Sequence, residues 1–487
     1  MSAQQNRVRT MTGAGRSAGA PVPPHLSTRK ERAAGIDDIE KVLSNWSGNA
    51  VSHPSKVVQP QSIKQIAQIM LDQKTFPSPV RAVGSNQSPT RCAVVDAGTI
   101  IDTRKLDRIL KIDNESVTVQ AGVLYKDLVH RLHAEGLQLP VAVDFGNFTM
   151  GSAACGLVKG FGPTGQPSLL SSYVLSMMLI TPAGKELVIA DDKPDLLRVA
   201  RSCYGLMGIV YEATFKVVPL ENRFVELTRM RLDDFVGSFP DIADSSESVR
   251  FHMYPFREEI VVEKWKSVTN YPPRRDRLWK LLNWLDVYAL PGLAFILKKT
   301  FPFSRIRHGL IDRAAVGLQN MRCRFTNRIG VGVRAFIKPY AAKSRPWTRF
   351  TYSAWAFPAM SYDIVLDAYF RFCRDYADMR GYRNDLPTLG CRIEQDTDSF
   401  LSPSMSGTVF TIEPLASDTS GWEDFLIDFN DFCSQHGGVP FFNHTPALTP
   451  KQARNAFGER LNSFRLLREK VDPNNRLTNQ YFLQLLK

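Results

Sequence analysis

Residues 81–88 read RAVGSNQS, and this stretch decides the fold. Val80–Val83 is a short apolar run of strand length, and Gly84-Ser85-Asn86-Gln87-Ser88 is a loop of small polar residues. Glycine and serine let backbone N–H groups approach an anion with no bulky side chain between. Upstream, Gln61–Lys74 follows Pro60 and carries Ile63, Ile66, Ile69 and Met70 at helical spacing. Downstream, Val94–Asp102 and Val117–Gly122 read as strands, and Tyr125–Glu135 as a helix stopped by Gly136.

Two further small-residue clusters follow the same alternation, GSAACG at 151–156 and GLMG at 205–208. Val174–Thr181 and Ile209–Val218 read as strands and Pro194–Cys203 as a helix opened by proline. Three such loops among alternating helices and strands point to an extended, phosphate-bearing ligand. Beyond residue 220 the texture changes. Residues 225–265 are strand-rich, 274–320 basic and aliphatic, and from Arg349 strands and helices alternate again, ending in a helix over Pro450–Val471. That pattern predicts an α+β second domain.

The 487 residues suit two or three domains and a true hydrophobic core. The net charge is +13 and local. Residues 1–36 read as a basic flexible tail, with a mitochondrial-type presequence as the alternative. Residues 274–313 hold nine Lys/Arg against three acids. Apolar residues with basic flanks there can make peripheral contact with an anionic membrane, the alternative being a cap helix with a solvated basic side. The longest apolar stretch, Leu278–Leu297, contains Lys280, Asn283, Asp286 and Pro291, a poor spanning helix. The seven cysteines form no CxxC, which suits a reducing, cytoplasmic compartment. The eight histidines form no HExxH, so no metal site is expected; a P-loop is missing, and basic residues do not interleave with aromatics, so no nucleic acid is expected as partner.

The segments NWSGN (45–49), VVQPQSIKQIAQIM (57–70), RAVGSNQS (81–88), TMGSAACGLVKG (149–160) and CYGLMGIVYEATFKVVP (203–219) resemble the FAD-binding half of the vanillyl-alcohol-oxidase superfamily. LREKVDPNNRLTNQYF (467–482), FHMYPFRE (251–258) and FLSP (400–403) resemble its sugar-1,4-lactone oxidase branch. The resemblance implies an α+β flavoenzyme: a two-part PCMH-type FAD-binding domain over 37–220, a substrate-covering cap with an antiparallel sheet over 221–440, and a segment, 441–487, returning to the FAD domain. Val83, Gly84, Ser85, Asn86, Gln87 and Ser88 would cradle the pyrophosphate. Thr149, Gly151, Ser152, Cys155 and Gly156 would line the flavin and its phosphates, and Gly205, Gly208, Ile209 and Val210 would pack beside it.

The departures are informative. Where covalent members carry a flavin-linking histidine, this chain has Gln87, and the His-Gly pair of the second motif reads Lys159-Gly160. The resemblance therefore implies FAD held non-covalently. The branch's Glu-x-Arg falls on Gly390-Cys391-Arg392, and its terminal lysine on His444. Arg392 is expected to stabilise reduced flavin and His444 to act as base, with Glu394 as the arginine's ion-pair partner and Phe441, Phe442 and Asn443 as the substrate wall. Val158, beside the flavin edge in such proteins, would restrict oxygen. The expected function is removal of hydride from a CH–OH group of a small or partly apolar substrate, with a separate electron acceptor. The alternatives are oxidation or reduction of a lipid or natural product on the same scaffold, and a non-catalytic membrane- or nucleic-acid-binding module.

Overall fold

The computed structural model describes residues 42–163, 165–245, 248–268, 275–341, 343–417 and 420–487. The tail expected at 1–36 lies outside them. Val80–Val83 is a strand, and Thr99–Asp102 runs parallel between it and Lys56–Val58. The preceding helix is Ile63–Leu71, capped by Ser62, whose hydroxyl accepts the Gln65 N–H. Its inner face, Ile66, Ile69 and Met70, packs against Val58, Val80 and Ile101.

Next to this small sheet lies a five-stranded antiparallel one, ordered Glu186–Ile189, Val174–Ile180, Ile209–Lys216, Ser116–Gln120, Ile109–Ile112. The helix Tyr125–Ala134 buries Leu128, Val129 and Leu132, and Gly136 beyond its end has φ +72°. The helix Met150–Cys155 starts so close to the sheet that a Cβ on Gly151 would sit 2.7 Å from that of Ala121.

The cap is built on an eight-stranded sheet whose strands pair antiparallel, as expected. Val261 and Val262 on one strand face opposite layers, the alternation that a two-sided sheet imposes. On one face the helices Leu232–Ala243 and Tyr362–Arg380 pack Phe235, Phe239 and Tyr362 against Phe251 and Phe410. On the other, a long helix over Asp276–Thr300 and the helix Ser304–Phe325 cover Trp265 and Val261.

The helix expected over Pro450–Val471 breaks at Gly458, whose φ of +52° interrupts the helical path, giving Pro450–Phe457 and Glu459–Val471. The chain then returns to the first sheet. Arg476, 2% exposed, donates to the carbonyls of Ile69 and Met70 and to Ser78 Oγ, and its own carbonyl accepts the Val80 N–H.

Candidate active site

The three small-residue loops come together on one cavity of about 310 Å³. Gly84 is there for steric reasons: a Cβ would fall 2.1 Å from Thr149 Oγ1. That close approach joins the first loop to the second. Ser88 Oγ donates to the Asn443 carbonyl at 2.6 Å and Thr90 Oγ1 to that of Phe442 at 3.0 Å, fastening the first loop to the C-terminal segment. Arg81, which sequence reading missed, ties the third loop in by donating to the carbonyls of Tyr204 and Leu477.

Of the residues expected to hold cofactor, Val83, Gly84, Ser85, Asn86, Gln87 and Ser88 all line this cavity. So do Thr149, Gly151, Ser152, Cys155 and Gly156, and Gly205, Gly208 and Val210. Ile209 does not: strand alternation turns it into the core with Ile66 and Ile180.

The far wall is polar and charged. Lys159 Nζ lies 3.0 Å from Glu413 Oε2. Burial alone would push this ammonium's pKa down; Glu413 reverses that and holds it above its ordinary range. Cys391 Sγ is 3.8 Å from Glu413 Oε1, and burial pushes its thiol up to about 12, so it is neutral. His444 lies beside them, its ring 5.6 Å from that of Tyr352. Burial, then the Lys159 charge, hold its pKa well below 6.5, so the imidazole is neutral. Nε2 is 3.3 Å from Asn443 Nδ2, while Nδ1 is buried without a protein partner. Beside the ion pair, Leu389 and Leu415 make the wall apolar, and Trp46, Phe145, Tyr340 and Phe350 form an aromatic end.

Two expectations need correction. Arg392 does not reach the cavity. Its strand pairs Arg392 with Phe410 and brings Leu389 beside Glu413, so Leu389 and Cys391 face the site and Arg392 the opposite side. There it is 2.9 Å from Glu394 and donates to the Ser245 carbonyl. Phe441 and Phe442 do not line the cavity either, being 0% and 1% exposed. Phe442 packs on Tyr204, Phe457 and Phe482, and Phe441 lies behind Lys159 and His444. Asn443 does line it.

The residues fit FAD. Glycine-lined loops meet at close approach, and Gln87 Oε1, Asn443 Oδ1 and His444 Nδ1 are buried polar atoms on the wall without a protein partner. This fold and this cavity define an FAD-dependent oxidoreductase. Residues 54–190 match the FAD binding domain family. Residues 213–485, more than half of the chain, match D-arabinono-1,4-lactone oxidase, and the chain belongs to that family. It is 24% identical over 460 residues to L-gulono-1,4-lactone dehydrogenase of Mycobacterium tuberculosis, covering 92% of this chain and 100% of that one. L-gulonolactone oxidase of Bos taurus is 26% identical over 274 residues, 53% of this chain and 61% of its own. Among solved structures, cholesterol oxidase from B. sterolicum superposes with TM-score 0.75 at 13% identity, covering 96% of this chain and 100% of that chain, a likeness of fold.

Proposed function

We propose that this enzyme oxidises a CH–OH carbon of a small, partly apolar substrate, with FAD held non-covalently and His444 as the base. FAD, when bound, supplies the hydride acceptor. The observation that carries the reading is a neutral, buried imidazole whose Nδ1 has no protein partner, on the cavity wall. Turning the Asn443 amide, so that its oxygen takes the place of Nδ2 opposite Nε2 and accepts from Nε2–H, leaves Nδ1 to present its lone pair and take the hydroxyl proton as the C–H bond breaks. The Lys159 ammonium favours neutral imidazole before the reaction, and Glu413 offsets that charge. Lys159 can donate to a substrate oxygen and Glu413 can accept from a hydroxyl, so together they orient one polar end. Leu389, Leu415 and Tyr352 suit an apolar remainder better than a polyol. Gln87 supports non-covalent attachment, because an amide has no nucleophilic ring nitrogen. Free thiols at all seven cysteines suit a reducing, cytoplasmic compartment. The reading includes peripheral membrane contact through residues 274–313.

The test is an oxygen-free screen of aldonolactones, alditols and apolar secondary alcohols, following loss of flavin colour. Bleaching by apolar alcohols ahead of sugar lactones is expected. Faster bleaching by a lactone overturns the substrate class, and a purified protein that takes up no FAD overturns the whole reading.

A further inference from the structure

The helix over Asp276–Thr300 is amphipathic in an unusual sense. Its inner side, with Trp279, Leu290, Ala294 and Leu297, belongs to the cap core. Its outer side carries a second apolar stripe at intervals of three and four residues: Leu281, Trp284, Tyr288, Gly292 and Ile296. Trp284 is 49% and Ile296 57% exposed. The turn into the next helix adds Phe301, Phe303 and Ile306, with Phe303 66% exposed. Large apolar side chains repeated along one outer face mark a binding surface rather than the scatter normal on a protein surface.

The charges select the partner. Arg277, Lys280, Lys298, Lys299, Arg305 and Arg313 are exposed along these helices. The three acids of the same segment are engaged by the cap. Asp276 accepts the Gly332 N–H at 3.1 Å, Asp286 pairs with Lys338 at 3.1 Å, and Asp312 with Arg383 at 2.7 Å. The outward face is therefore apolar and cationic, whereas the segment's composition alone is mixed. A second copy seated on this face would oppose like charges. Burial in a membrane core is disfavoured as well. The Asp276–Thr300 helix is long and apolar enough to span by length and composition. Spanning would strip Trp279 and Leu297 from the cap core and break the bonds of Asn283 and Asp286 to Arg322 and Lys338.

We infer that the outer face of the helices over Asp276–Thr300 and Ser304–Phe325 docks the enzyme on an anionic lipid bilayer. Trp284 and the Phe303 turn enter the interface, and the lysines and arginines meet the headgroups. The docked face adjoins the active site: Tyr288 Oη donates to the Pro339 carbonyl, and Lys338 and Tyr340 on either side of Pro339 line the cavity. This inference rests on the membrane-contact part of the reading above and is independent of its redox chemistry.

The experiment is flotation of the full-length FAD-bound protein with vesicles of phosphatidylcholine alone or mixed with phosphatidylglycerol, scoring flavin in the same fractions. Anionic vesicles are expected to carry at least about tenfold more protein, and high salt to release most of it. K298E/K299E and W284S/F303S are each expected to reduce flotation about tenfold with flavin content unchanged. Equal flotation on neutral vesicles overturns the charge-selective surface while leaving membrane contact standing, and no flotation on either overturns both. Flotation that survives both variants but is lost on removing residues 1–35 assigns binding to the tail and overturns the inference. So does a dimer in sedimentation velocity that the two variants abolish.

Discussion

Lys159 Nζ lies 3.0 Å from Glu413 Oε2, each side chain nearly buried at the cavity wall. One residue comes from the loop after the Met150–Cys155 helix and the other from the end of the Val409–Ile412 strand, so the pair spans the FAD-binding half and the cap. It places a donor and an acceptor beside His444 with no net charge.

Breaking this pair leaves one buried charge uncompensated. K159M and E413L are each expected to lower unfolding free energy by about 3 kcal/mol, and K159M/E413L by less than either. Denaturant titration of the FAD-bound protein measures this double-mutant cycle; additive losses would show that the two residues act separately.

As the proposed base, His444 should set the acid limb of activity. Its pKa lies well below 6.5 in the folded protein, so kcat/KM should stay flat as pH falls through 6.5 and decline only below. K159M removes the neighbouring cation and should move the inflection upward. Stability follows with the same sign: below 6.5 the unfolded chain takes up a proton that the folded imidazole refuses, so this contribution is lost as pH falls. H444A should slow flavin reduction about 10²–10⁴-fold with FAD retained. An unchanged reduction rate removes His444 from the mechanism.

Arg392 is a structural residue in this fold. R392M leaves Glu394 without its cation and Ser245 without its donor. It should lower stability by about 2–3 kcal/mol, at or just below the range for breaking a buried pair, and leave the flavin reduction rate nearly unchanged. A hundredfold slower reduction at unchanged stability would restore a catalytic role.

On the proposed non-covalent attachment, acid precipitation should release free FAD into the supernatant, because Gln87 on the cavity wall has no nucleophilic ring nitrogen. Flavin colour retained in the pellet would require another attachment point.

Val158 lines the cavity beside Lys159. Branched at Cβ and stiff in χ1, it should keep oxygen from the flavin edge. V158G is expected to reoxidise faster than wild type after photoreduction in air-saturated buffer; equal rates would remove the gate.

Local chemistry made the cofactor cradle legible in the sequence. Gly84, Gly151 and Gly208 occupy positions where a Cβ would collide, and that requirement is written in the residue type itself. The helices Ile63–Leu71 and Tyr125–Ala134 were legible for the same reason, since their apolar spacing and end signals are local. The substrate wall was not. Whether Cys391 or Arg392 faces the flavin side depends on the parity of one strand, and a shift of one residue exchanges its faces. Phe441 and Phe442 read as an apolar wall, but they are core because Tyr204, Phe457 and Phe482 close over Phe442. The Lys159–Glu413 pair and the inward turn of Asp276, Asp286 and Asp312 join residues distant in the chain, and no local pattern announces such pairs. Sequence alone determined which backbone can hold a dinucleotide; tertiary packing decided which charges face the substrate and which face the surroundings, because side-chain direction is set by register and burial across the whole domain.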